Sequence, residues 1–206
     1  PLDGGDVIDI ALEQPACGRF LAGKLFRYFV HADPEPELIE VLGDRYRASG
    51  YDTLGLLRML FTSRVFYSER AYRGLVKSPI ALTVGAARSL PVRLNATALA
   101  GTASDLGQAL YAPPSVKGWD GGHAWLNAAT LIGRVNLAAD LAGADGFASF
   151  TEDGVESWPV ERWLDLLLDG EAPPQTIRWL EMHVDRFDDA RGALQTLLAM
   201  PEYQLG

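Results

Sequence analysis

Cysteine is nearly absent from the chain. Cys17 stands alone, so no internal disulfide can form, and its apolar surroundings predict a small buried hydrophobe rather than a reactive thiol. Histidine is almost as scarce: His31, His123 and His183 lie far apart, with no His-Glu-x-x-His or paired-cysteine spacing. Glu181 and Asp185 share a helical face, but His183 points roughly 200° away from Glu181, so those three cannot converge on a regular helix. No metal site and no cofactor is therefore expected. Apolar runs fall well short of the roughly 20 residues of a membrane span, so this segment is not expected to insert into a bilayer.

Several enzyme signatures are missing as well. A phosphate loop ends in Gly-Lys-Ser or Gly-Lys-Thr, whereas the order here is Lys117-Gly118. There is no Gly-x-Ser-x-Gly elbow and no Rossmann glycine fingerprint behind a strand. Acids are plentiful, but glycoside cleavage depends on the spatial separation of two carboxylates, which abundance alone does not supply.

What is present is an ordinary globular composition, 48% hydrophobic and 22% charged over 206 residues, enough for a substantial core. The formal net charge of −9 disfavours nucleic acid, whose binding relies on an excess of Lys and Arg. The charge is divided along the chain. Between Arg45 and Arg93 nine basic residues face only Asp52 and Glu69; between Asp140 and Glu171 nine acids face Arg162 alone. The basic 45–93 span either faces the acidic 140–171 span or water, or offers a surface for an anionic polymer.

Helical punctuation recurs throughout. Gln14-Pro15 opens a helix to about Val30, apolar around most of its circumference, and a shorter one with Val7, Ile8, Ala11 and Leu12 precedes it. A helix spans about Pro36 to Ala48, and another begins at Asp52 ahead of Leu54, Leu57, Leu60 and Phe61. Ser78-Pro79 starts one running to about Leu90, where Pro91 stops it, and Asn95 caps one ending near Leu110. The segment from about Asn127 to Leu141 is helical, with Leu131, Val135, Ala138 and Ala142 on one face. Residues 147–158 lack a helical period and read as an irregular connection, at most a short hairpin. Three more helices carry Val160, Trp163, Leu164, Leu167 and Leu168; then Ile177, Leu180, Val184 and Phe187; then Ala190, Ala193, Leu194, Leu197 and Leu198. The sum is an all-α protein, a compact irregular multi-helix bundle of eight to ten helices in a single domain over residues 1–206.

One connection stands apart. YAPPSVKGWDGGHAWLNAATLIGRVN, from Tyr111 to Asn136, gathers two prolines, four glycines and two tryptophans around one lysine. Pro113-Pro114 stiffens the way in, while Gly118, Gly121 and Gly122 permit backbone angles that side chains forbid. Residues 111–126 therefore predict a shaped loop. Trp119 and Trp125 supply apolar faces, and Lys117, Asp120 and His123 supply polar groups nearby, a combination suited to a sugar or a peptide. Asn127, Thr130 and Arg134 fall on one stripe of the following helix and can line the loop, whereas Asn136 faces elsewhere and is expected to satisfy backbone groups in a neighbouring connection. The alternative is architectural: indoles plug the helix layer and Lys117 pairs with a carboxylate. Candidate ligand-binding residues are thus Lys117, Gly118, Trp119, Gly121, Gly122, Trp125, Asn127 and Arg134.

The same stretch resembles the signature of the bacterial domain-of-unknown-function family 1800. RFLAGKLFRYFV from Arg19, LLRMLFTSRVFYSERAYRGLVKSP from Leu56 and the closing LAMPEYQLG resemble that family's helical blocks in the same order. Lys117, Gly118, Trp119, Gly121, Gly122, Trp125, Asn127, Arg134 and Asn136 match the pattern. Asp120, His123 and Leu137 depart from it, standing where members carry Pro, Arg and Phe. The resemblance implies a longer N-terminal portion, export from a bacterial cell to the periplasm or cell surface, and no established activity. The resulting expectation is a binding or assembly region centred on the loop, with a carbohydrate, a protein or the remainder of its own parent chain as partner. The competing expectations are a hydrolase of cell-surface polymers, with Lys117 or a nearby carboxylate in acid–base work, and a binder of anionic glycans through the basic span.

Overall fold

The computed structural model describes residues 2–143, 148–150, 155, 158–183 and 190–206. Among these are eleven α-helices and only two short strands, so the all-α expectation holds. The chain gathers into two compact units, Pro1–Leu75 and Val76–Gly206.

The first unit contains α1 (Gly4–Glu13), α2 (Pro15–Phe29), α3 (Pro36–Ala48) and α4 (Thr53–Phe61). Pro15 and Pro36 open their helices where no backbone donor is needed, and the Asp52 carboxylate caps α4 through the Gly55 amide. Ala22, Phe26 and Val30 of the α2 end pack with Leu42, Tyr46, Leu56 and Leu60. Helices α2 and α3 approach through glycine. A Cβ on Gly18 would lie 2.5 Å from the Gly43 carbonyl oxygen, and one on Gly43 would lie 2.5 Å from the Arg19 Cα. Leu54, expected on the inner face of α4, is exposed instead, because Leu56 and Leu60 one turn apart take the core positions. Cys17 is half-buried rather than enclosed, beside Tyr51. Helix α1 forms as expected, capped by Asp3, yet buries none of its residues.

His31 is one of the few polar residues inside this unit. Its ring meets Phe26 edge-on at 4.9 Å, and its Nδ1 is buried with no hydrogen-bond partner. The chain beyond it is tied down by Arg70, which reaches the Glu35 carboxylate and the Asp33 carbonyl. Burial first, and the Arg70 charge second, lower the imidazole pKa from its ordinary 6.5. A group whose folded pKa is depressed takes up a proton on unfolding, so its contribution is intact above pH 6.5 and is lost as pH falls below it. Urea midpoints of the first unit should therefore drop between pH 7.5 and pH 5, and His31→Phe should flatten that part of the profile. An unchanged slope in the variant would place the acid sensitivity elsewhere.

The second unit runs through α5 (Pro79–Ser89), β1 (Val92–Leu94), α6 (Ala96–Asp105), a 3-10 turn (Gly122–Trp125), α7 (Ala128–Leu141) and β2 (Ala148–Phe150). It continues with α8 (Val160–Leu168), α9 (Pro174–His183), α10 (Ala190–Ala199) and α11 (Pro201–Gln204). Ser78 caps α5 at the Ala81 amide, and Asn95 caps α6 at those of Thr97 and Ala98. Helix α6 stops earlier than Leu110, because Gly107 takes a left-handed φ of 100° just past its end. Within the irregular connection, residues 148–150 pair not with a local neighbour but with β1, antiparallel, Val92 opposite Phe150 and Leu94 opposite Ala148. Val184, Asp185 and Phe187 lie outside the described residues. The core joins Leu82 and Leu90 of the α5 segment to Leu137 and Leu141 of α7, Trp163 of α8 and Leu194 and Leu197 of α10.

Helix α7 buries only the later half of its expected face, Ala138 and Ala142. Leu131 and Val135 are 50% and 48% exposed, while Arg134, Leu137, Ala138 and Leu141 are buried. Both stripes are apolar enough to enter a core. The stripe that does so is the one bearing a guanidinium with internal acceptors.

Candidate functional site

The Pro/Gly/Trp loop hangs between two anchored ends. On the upstream side Leu106 is buried in the core, and the Gln108 side-chain oxygen accepts the Ile80 amide at 2.9 Å, tying the chain to the start of α5. Downstream, Trp125 is buried and its carbonyl accepts the Thr130 hydroxyl at 2.9 Å. Asn127 forms a capping box with Thr130: its side chain accepts the Ala129 and Thr130 amides, and the Thr130 hydroxyl accepts the Asn127 amide. Between these ends the loop is open. Residues 110–117 are exposed, Tyr111 and Val116 completely so.

Glycine gives the loop its shape. Gly118, Gly121 and Gly122 all have positive φ, 88°, 76° and 56°, where other residues would be strained. The turn brings the Lys117 ammonium onto the Asp120 carboxylate, an exposed pair that contributes little to stability. Trp119 is half-buried, and His123 is exposed. Of the eight candidate residues, the loop thus presents Lys117 outward, uses the glycines for backbone geometry and spends Trp125 on packing.

Arg134 belongs to a different construction. It is buried, its Nη1 donating to Gln204 Oε1 at 2.7 Å and its Nη2 to the Lys77 carbonyl at 2.8 Å, while its Nε is left without a partner. Burial lowers its pKa from the ordinary guanidinium value. Around it the end of the chain is strapped to residues 76 and 77. Val76 bridges Leu205, the Lys77 amide donates to the Gln204 carbonyl at 3.0 Å, and the Lys77 ammonium donates to the Tyr203 carbonyl at 2.6 Å. The same ammonium lies 4.1 Å from the centre of the Tyr203 ring, whose phenol is pushed up to about 12 by burial. Gln204 completes the strap by donating to the Leu198 carbonyl at 2.6 Å. Sequence reasoning missed Lys77, Tyr203 and Gln204. The only signal was that LAMPEYQLG formed a block resembling the family's own.

The candidate residues therefore do not converge. Lys117 meets Asp120, Asn127 caps a helix, and Arg134 points into the strap. Asn136 is exposed rather than bonded into a neighbouring connection. Members of the basic span are also put to internal use: Arg47 donates to the Glu13 carbonyl, Arg70 holds residues 33 and 35, and Lys77 holds Tyr203. Among the described residues, no three His, Cys, Asp or Glu side chains are arranged to hold a metal, and no helix is long and apolar enough to cross a membrane.

The shared loop geometry and the helical blocks around it meet a matching pattern among known sequences. The model of a family described as a protein of unknown function (DUF1800) matches residues 2–205. The chain belongs to this family. The match embraces both compact units, so the DUF1800 region comprises the glycine-contacted α2–α3 pair as well as the strapped second unit. No curated protein and no solved structure matches the chain.

Proposed function

We propose that this DUF1800 region serves binding or assembly, docking an apolar helical segment of a protein partner on α7 and the loop that leads into it. The observation that carries the reading is the exposed stripe of α7. Leu131, Ile132 and Val135 are 50%, 63% and 48% exposed, and with Ala128 they fall at i, i+3, i+4 and i+7, the spacing by which one helix receives another. Leu110, Tyr111 and Val116 add exposed apolar surface on a loop whose two ends are fixed. A catalytic reading would require Lys117, a carboxylate and Arg134 in one concavity, and Arg134 is committed to the strap. Export from a bacterial cell belongs to the same proposal, and cell fractionation checks it.

A peptide and glycan binding screen on the full-length protein tests the docking reading. Apolar helical peptides are the expected ligands, and Ile132→Asp combined with Tyr111→Ala should weaken them about tenfold or more, the effect of losing one buried aliphatic side chain. Lys117→Ala should leave peptide binding unchanged. Peptide binding that survives the double substitution would overturn the reading, as would glycan binding abolished by Lys117→Ala or Trp119→Ala.

A further inference from the structure

Away from the loop, a cleft of about 630 Å³ opens between the end of α5 and the outer face of α8. Two arginines line it, Arg88 and Arg162, and among the described residues neither has a carboxylate partner. Arg162 is braced: its guanidinium carbon lies 3.6 Å from the centre of the Trp158 ring, and Trp158 in turn rests on the fully buried Trp163, ring centres 4.8 Å apart. A guanidinium held against an indole keeps its in-plane N–H donors available and has already lost much of its freedom, which favours forked recognition of a carboxylate.

The remaining lining is of two kinds. Leu90, Pro91 and Leu166 form an apolar part. Asp165 lies in the cleft, and so does the C-terminal end of α5, which carries partial negative charge on its free carbonyls. Pro91 has no N–H, so it cannot satisfy the Ala87 carbonyl in the way a continuing helix would. One cleft thus offers donors for an oxyanion, acceptors for a cationic or hydroxylic donor, and an apolar wall. Its volume suits a small molecule.

We infer that the cleft between α5 and α8 binds a free α-amino acid with an apolar side chain. The carboxylate sits on Arg162 and Arg88, the ammonium faces Asp165 and the end of α5, and the side chain lies against Leu90, Pro91 and Leu166. A single carboxylate matches the site better than a phosphate dianion, because Asp165 offsets one of the two positive charges. This inference is independent of the docking surface on α7, whose variants do not touch the cleft.

Calorimetric and NMR titration of the purified protein with leucine and phenylalanine tests it. Both should bind saturably, and Arg162→Gln and Arg88→Gln should each weaken them about tenfold or more, as expected for loss of a charge-assisted contact. Leucinamide, which lacks the carboxylate, and 4-methylpentanoate, which lacks the ammonium, should both bind more weakly than leucine. Both arginines are exposed, so the variants should keep the parent circular dichroism and melting curve. Absence of saturation up to about 10 mM, a Kd that corresponds to roughly −3 kcal/mol, would overturn the inference. Equal binding of leucinamide or 4-methylpentanoate, or arginine variants that bind like the parent, would overturn it too.

Discussion

Arg134→Ala should destabilise the second unit by about 3 kcal/mol or more, since it removes two hydrogen bonds from a charged donor, each worth about 1.5–3 kcal/mol. The guanidinium is buried, and its two hydrogen bonds satisfy Gln204 Oε1 and the Lys77 carbonyl. Truncation removes both hydrogen bonds and opens a void where the buried side chain lay. Arg134→Met, which loses the same hydrogen bonds but fills most of the space, should cost less. Hydrogen exchange localises the effect. The Lys77 amide, bonded to the Gln204 carbonyl, should lose protection in Arg134→Ala while amides of the first unit stay unchanged. Retained protection at Lys77 would mean that the strap holds without the arginine.

Gly43→Ala should be the matching lesion in the first unit. Its new Cβ would fall 2.5 Å from the Arg19 Cα and 2.6 Å from its backbone nitrogen, atoms that cannot rotate away. Helices α2 and α3 must separate, and because their contact organises the core of Phe26, Leu42 and Tyr46, the loss is expected at about 3 kcal/mol, the upper part of the range for overpacking. Gly18→Ala meets the Gly43 carbonyl in the same manner and should act alike, whereas Gly101→Ala, with open space around it and no positive φ, should be neutral or slightly stabilising. Thermal melts of the three variants provide the comparison. A Gly43→Ala protein as stable as the parent would show that the two helices can slide apart at no cost.

Much of this architecture is legible in local chemistry. Asp52, Ser78 and Asn95 cap the helices they were expected to cap, and Pro15 and Pro36 open theirs, because such devices act within three residues of themselves. Long-range choices are harder to read. Helix α7 carries two apolar stripes, and periodicity alone favours Leu131 and Val135; the decision against them rests on the acceptors of Arg134, which are a backbone carbonyl at Lys77 and a side chain at Gln204. Strand β1 is three residues long and finds its partner at 148–150, so neither half carries a strand signature of its own. The loop's shape was visible in its glycines, which do adopt left-handed angles. The separate duties of Lys117, Asn127 and Arg134 were not, since sequence adjacency on a helix says nothing of which neighbours supply the partners.

The strap also bears on how the protein is made. Lys77 and Tyr203 stand 126 residues apart, yet one holds the carbonyl of the other. At roughly 5–20 residues per second, a ribosome leaves the Val76–Lys77 edge without its mate for about 6–25 seconds. During that interval the nascent second unit stays open, because its latch has yet to be synthesised.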